Sequence, residues 1–150
     1  MNALDLLKED HDKVRDLLEQ LVNTTERAEK KRPDLLAKIE KEMQVHTQIE
    51  EEIFYPAFKK ASGKQNDKMY YEAHEEHRAV EDLVLPDLKQ ADPGGTQFSG
   101  RAKVLKELIE HHAEEEEEEM FPQARKTMSE RELEELGEKM QARKKELMAA

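Results

Sequence analysis

Six residues of two chemical types recur at a fixed offset. His11, His46 and Glu50 become His77, His112 and Glu116 on adding 66. Each set is a histidine followed, 35 positions on, by H-x-x-x-E. The flanks repeat as well: EDHDKVRDLL (9–18) resembles EEHRAVEDLV (75–84), HTQIEEEIFYP (46–56) resembles HHAEEEEEEMFP (111–122), and Pro56 corresponds to Pro122. Four imidazoles and two carboxylates in two equivalent sets are what a two-fold-symmetric dinuclear metal site requires. A His and a Glu at i and i+4 lie one turn apart on one helix face, so both can reach the same centre. Such mixed sets suit iron, and also zinc or manganese.

Four long helical patterns must position these residues, over about 3–29, 34–60, 67–90 and 97–126. They are separated by Lys31–Asp34 with Pro33, by ASGKQND (61–67) and by ADPGGT (91–96), whose Gly and Pro favour turns. Short connections make neighbouring helices antiparallel, which predicts an all-α, up-down-up-down four-helix bundle. A further helix over 129–148 opens with Ser129-x-x-Glu132, the spacing of a capping box.

The apolar stripes point all six polar residues at the core. His11 is in phase with Leu4, Leu7, Val14, Leu18 and Leu21. His46 and Glu50 share a face with Leu36, Ile39, Met43, Ile53 and Ala57. Tyr70, Ala73, Val80 and Val84 flank His77, and Ala102, Leu105 and Ile109 lead into His112 and Glu116. Buried carboxylates and imidazoles are costly unless paired, hydrogen-bonded or bound to metal, and a pair of cations resolves that cost. Of the run Glu114–Glu119, most positions read as a solvated face. Phase and repeat select Glu116, with Glu115 and Glu117 as weaker candidates. Outside the repeat, His111 reads as a surface or outer residue. His74, three residues before His77, stays open as a fifth imidazole, because its counterpart is Lys8. Phe54, Tyr55, Phe121 and the methionines read as packing residues.

Composition removes other chemistries. The 150-residue chain has no Cys, which excludes disulfides, zinc–thiolate sites, iron–sulfur clusters and thiol nucleophiles. Its net charge of -11 argues against a nucleic-acid surface. With no long apolar run and no signal peptide, a soluble, cytoplasmic, stand-alone protein without a membrane partner is expected.

DHDKVRDL, HTQIEEEIFYP, EEHRAVEDL and HHAEEEEEEMFP make the chain resemble the hemerythrin-like, HHE cation-binding family over residues 1–126, with 127–150 as a C-terminal helical extension. The resemblance implies a non-haem di-iron centre, two iron ions with an oxo or hydroxo bridge, held by His11, His46, Glu50, His77, His112 and Glu116. The oxygen-carrying members have two closely spaced histidines on one helix at i and i+4. Here position 73 is Ala and the spacing of His74 and His77 is i, i+3. The four-histidine, two-glutamate set is more similar to bacterial members linked to nitric oxide, peroxide and iron–sulfur repair, without the Cys-containing segment of the repair proteins.

Ferritin-like sites use four Glu and two His, and this chain inverts the ratio. Fewer carboxylates leave less negative charge to stabilise a high oxidation state. The function expected is therefore to bind or sense a small diatomic, O2 or nitric oxide. The alternatives are an enzyme consuming peroxide or nitric oxide, an iron storage or donor protein, and a metal-free acidic interaction module.

Overall fold

A computed structural model describes the backbone of residues 1–150 and every side chain except that of Gln65. The chain is all-α. Helix α1 is Ala3–Val22. Helix α2 spans 31–62, α3 spans 67–90, α4 spans 96–127 and α5 is Glu130–Ala149. Helices α1 to α4 form the antiparallel bundle, and α5 lies across the seam between α1 and α2. Among the described residues no helix is long and apolar enough to cross a membrane.

Two helix ends differ from the sequence expectation. Helix α1 stops at Val22 rather than near 29, because Asn23, Thr24 and Thr25 are weak helix formers and the Thr24 hydroxyl donates to the Leu21 carbonyl. Helix α2 starts at Lys31, so Pro33 sits in its first turn, where its missing N–H has no helical partner to lose. Arg32, fully buried, ties this end of the bundle together. Its guanidinium donates to Thr24 Oγ1 (2.9 Å), the Pro93 carbonyl (2.8 Å) and Ser99 Oγ (2.8 Å), and lies over the Phe98 ring. Helix α2 ends at Gly63, whose φ of 64° lies in the left-handed region that glycine tolerates. The Ser129–Glu132 capping box forms with both of its hydrogen bonds.

Three helices run through a proline. Each widens to a π turn just before it: Glu50–Phe54 ahead of Pro56, Val80–Val84 ahead of Pro86 and Glu116–Met120 ahead of Pro122. Proline lacks an N–H and clashes with the carbonyl four residues back. In the wider turn the preceding residue bonds five back instead, Tyr55 N–H to the Glu50 carbonyl and Phe121 N–H to that of Glu116. Such turns are known interruptions of α-helices, frequent at functional sites.

The extra residue shifts the buried phase by one. Beyond Glu50 the core takes Phe54 and Phe58, while Ile53 and Ala57, expected inside, are only partly buried. Likewise Leu85 is buried where Val84 was expected. Helix α1 has no proline, and its stripe of Leu4, Leu7, Val14, Leu18 and Leu21 is buried as predicted.

The core is divided into two apolar clusters. One holds Leu4, Leu7, Phe54, Phe58 and Phe121 together with Leu133 and Met140 of α5. The other holds Val14, Leu18, Ile39, Leu88, Phe98 and Leu105. Along α1, His11 lies between Leu7 of the first cluster and Val14 of the second.

Candidate metal centre

Helices α1 to α4 bring His11, His46, Glu50, His77, His112 and Glu116 together, and all six are buried. Two groups of ligand atoms result. His11, His46, Glu50 and Glu116 form one; Glu50, His77 and His112 form the other, with all atoms of a group within 4.8 Å of one another. His112 Nε2 is also 3.0 Å from Glu116 Oε1. Both carboxylates therefore lie between the two groups: Glu50 Oε1 is 3.2 Å from His46 Nε2 and 3.1 Å from His77 Nε2, and Glu116 Oε1 is 3.4 Å from His11 Nε2.

All four rings present Nε2 inward and Nδ1 to a carboxylate. His11 Nδ1 is 2.6 Å from Glu117, His46 Nδ1 is 2.9 Å from Asp10, His77 Nδ1 is 2.9 Å from Glu51, and His112 Nδ1 is 2.8 Å from Glu76. An ionised carboxylate only accepts, so each Nδ1 carries a proton, and a ring that loses its second proton turns the Nε2 lone pair to the centre. Outer carboxylates of this kind fix ring orientation and strengthen imidazole as a donor. They obey the same offset as the ligands: Asp10 corresponds to Glu76, and Glu51 to Glu117. Asp10 and Glu76 directly precede a repeated His; Glu51 and Glu117 directly follow a repeated Glu. The repeat thus carried a signal for all four, although only Glu117 was singled out, and then as a weaker ligand candidate.

Among the described residues, five buried side-chain polar atoms have no hydrogen-bond partner: His11 Nε2, His46 Nε2, both Glu50 oxygens and Glu116 Oε1. His46 Nε2 is 3.2 Å from Glu50 Oε1, close but not hydrogen-bonded. An unsatisfied buried group costs about 1–3 kcal/mol, and more if charged. These orphaned atoms belong to the converging set, so the residues present fit a pair of cations.

Electrostatics of the metal-free groups fit the same picture. Burial works against a charged His46, but Glu50 and Asp10 on either side of the ring outweigh it and push it up to about 10. His112 is raised well above the usual histidine range, Glu116 and Glu76 prevailing over burial. His11 and His77 are raised too, their flanking glutamates again overcoming burial. Glu117 falls to about 2 because His11 and Arg15 outweigh its desolvation. A bound cation would take the place of the imidazole protons.

The sequence reads Tyr55 first as a packing residue, with a donor role behind the ligands as the alternative, and the structure gives it both. Its hydroxyl donates to Glu116 Oε2 (3.3 Å) and lies 3.3 Å from His77 Nε2 and 3.5 Å from His112 Nε2. Five residues of α-helix turn through about 500°, which would set Tyr55 roughly 140° from the Glu50 face. The π turn closes over five residues and brings the ring back to that face. Helical phase alone could not reveal this. The counterpart is Phe121, stacked on His11 at 6.0 Å as Tyr55 is stacked on His77 at 5.5 Å. Only the second group therefore has a hydroxyl.

His74 is not brought into either group. It is half-buried, and its Nδ1 bonds to Glu51 at 2.8 Å, on the carboxylate that also holds His77. Both line an open cleft of about 410 Å3 between α2 and α3. His111 is exposed and pairs with Glu115 at 2.8 Å. Glu115, crowded by burial, Glu76 and Glu72, is raised to about 6. The enclosed space beside the centre is small, one cavity of about 20 Å3 and another of about 10 Å3.

The chain matches the family described as Hemerythrin HHE cation binding domain over residues 2–124. It is 33% identical over 150 residues to the uncharacterized protein Rv2633c of Mycobacterium tuberculosis, covering 98% of this chain and 88% of that protein. A protein named DNA nickase from Nostoc is 24% identical over 147 residues; the match covers 98% of this chain and 40% of that longer protein. Among solved structures, a hemerythrin HHE cation binding domain-containing protein from Mycobacterium kansasii, a Rv2633c homolog, is similar with a TM-score of 0.86 and 31% identity. That likeness covers 99% of this chain and 88% of the other.

Proposed function

The chain belongs to the hemerythrin HHE cation-binding family, and from that premise we propose that it is a non-haem di-iron protein that binds or senses a small diatomic, O2 or nitric oxide. The observation that carries this reading is the placement of Glu50 and Glu116 between two histidine groups, with their inward atoms unpartnered. His11 and His46 would hold one iron, His77 and His112 the other, and the two glutamates would be shared. Tyr55 would stand beside the second iron, with its hydroxyl hydrogen-bonded to Glu116. Iron, when bound, supplies a reversible change of oxidation state and a coordination position open to a small ligand.

The chain's own residues set the conditions. Asp10, Glu51, Glu76 and Glu117 lock the rings with Nε2 inward. Unbound Tyr55 holds its proton firmly, since burial and the nearby Glu116, Glu50 and Glu51 raise it well above 10. That hydroxyl faces the inner nitrogens of the second group, 3.3 Å from His77 Nε2 and 3.5 Å from His112 Nε2. Cavities of about 20 and 10 Å3 admit one water-sized molecule at a time. That scale suits a diatomic or peroxide beside His112.

Turnover of peroxide or nitric oxide is the second reading, and the Tyr55 hydroxyl favours it, because a proton would be available where a reduced ligand needs one. The nickase relative is matched over 40% of its length. This chain's charge of -11 is unfavourable for a phosphate backbone, and no nuclease activity is carried over.

The test is the iron content of protein from iron-supplemented cells, with its absorption spectrum recorded through cycles of O2 and its removal. Two irons per chain and a reversible spectral change are expected. Zinc, or no metal in a folded chain, overturns the di-iron reading. Sustained O2 release from peroxide moves the conclusion to the enzyme.

A further inference from the structure

Glu76, His111 and Glu115 place one ligand atom each within 4.8 Å of one another on the outer face of α3 and α4. His111 Nε2 is 2.8 Å from Glu115 Oε1 and 3.9 Å from Glu76 Oε2. We propose that these three residues form a peripheral divalent-cation site, which takes up the metal at the mouth of a narrow cleft leading to His112 and Glu116. The proposal rests on the di-iron reading for the destination of that metal.

The cleft is graded from outside to inside. Glu72 and Glu119 are exposed, Glu76 and Glu115 are half-buried, and His112 and Glu116 at its inner end are buried. One oxygen of Glu116, itself only 2% exposed, has no hydrogen-bond partner. The enclosed volume of about 20 Å3 suits a single water-sized particle. Glu76 belongs to both ends: Oε1 accepts from His112 Nδ1 at 2.8 Å while Oε2 faces His111. Among the described residues no Lys or Arg pairs with Glu72, Glu76 or Glu115, in a chain with 25 Lys and Arg. Solvent exposure explains polar residues on this face but not the missing cations.

The internal repeat supplies a control within the same molecule. Subtracting 66 turns Glu72, His111, Glu115 and Glu119 into Leu6, Val45, Ile49 and Ile53. Leu6, Val45 and Ile49 are buried, and Leu6 and Ile49 belong to the apolar cluster that includes Leu133 and Met140 of α5. Of the five counterparts only Asp10, that of Glu76, is polar, and its outer oxygen is taken by Lys144. One seam is thus sealed, and the equivalent seam is open, acidic and carries an exposed imidazole. Glu72, Glu76, Glu115 and Glu119, set among Met69, Ala73 and Met120, are charged side chains along the cleft, and carboxylates of one sign concentrate cations and speed their arrival.

Two measurements test the site. With the buried centre already filled with iron, wild type should bind one further Mn2+ per chain, read from the loss of the free Mn2+ resonance. The double variant His111→Ala/Glu115→Gln should lose it. Starting from metal-free protein, the same variant should take up Fe2+ about tenfold more slowly and reach the same final iron content. Glu72→Lys, which reverses charge at the mouth and removes none of the three ligands, should also slow uptake. The proposal is overturned if loaded wild type binds no Mn2+ that the double variant loses, or if both variants load at the wild-type rate. Failure of the di-iron reading is separate, because it would show as absent iron in wild type before any variant is compared.

Discussion

The two halves of the centre share their ligand types and differ in what surrounds them. On the α1–α2 side, Asp10 behind His46 is 3% exposed and paired with Lys144 of α5. On the α3–α4 side, Glu76 behind His112 is half-buried, and its outer oxygen faces the exposed His111 at 3.9 Å. Phe121 faces His11 where Tyr55 faces His77. Duplicated ligands therefore do not make equivalent sites. A helix covers one seam, and a hydroxyl stands beside the histidines of the other.

The most severe way to break the comparison is to remove an imidazole from either half. His46→Ala and His112→Ala should each strip metal and leave buried carboxylates unbalanced, a loss of about 3–5 kcal/mol by analogy with broken buried ion pairs. Metal analysis and urea unfolding would read both effects. If either variant kept its full metal content, the assignment of that histidine would fall.

Removing metal from both halves should change how stability depends on pH. His46 is raised from 6.5 to about 10 in the folded, metal-free chain. Its contribution is then complete below about 6.5 and lost as pH rises towards 10. The melting temperature of metal-free protein should fall through that window. Metal-bound protein, whose imidazoles are already neutral, should hold there and lose metal in acid instead.

The seal itself can be opened at Gly137. A Cβ there would sit 2.3 Å from the Met1 carbonyl oxygen, 2.7 Å from Asn2 C and 2.9 Å from Ala3 N, all of them backbone. Within an ordinary helix Gly→Ala stabilises by about 0.5–1 kcal/mol. Here Gly137→Ala should destabilise by about 1–3 kcal/mol as α5 is pushed off the N-terminus. A gain in stability would show that the contact is slack. The mildest change is Lys144→Met, which frees the outer oxygen of Asp10. Metal loss to a chelator from the α1–α2 half should quicken by a few-fold, short of the ~10–100-fold expected for deleting an outer partner outright. An equal effect on both halves would remove α5 as the source of their difference.

Much of this arrangement was legible in the residues. The offset of 66 selected the six converging side chains, and periodicity located the helices and their antiparallel order. Ser129 and Glu132 announced the start of α5. What stayed hidden has physical causes. Pro56, Pro86 and Pro122 were absorbed into helices of regular phase. Each instead adds a residue to the turn before it, which moves the buried set from Ile53 and Ala57 to Phe54, Tyr55 and Phe58. The role of Tyr55 followed from that shift and could not be read at 100° per residue. Arg32 was hidden for another reason: its burial depends on loop carbonyls and hydroxyls near Thr24 and Pro93, which no pattern within α2 encodes.

The contact between Lys144 and Asp10 joins residues 134 positions apart, which sets an order of events during synthesis. Helix α5 leaves the ribosome after all four helices of the bundle. At about 5–20 residues per second, Asp10 waits roughly 7–27 s for Lys144 and His46 roughly 5–20 s. Through that interval Asp10 lacks its Lys144 partner. Docking of α5 then covers the α1–α2 seam and leaves the acidic α3–α4 seam uncovered.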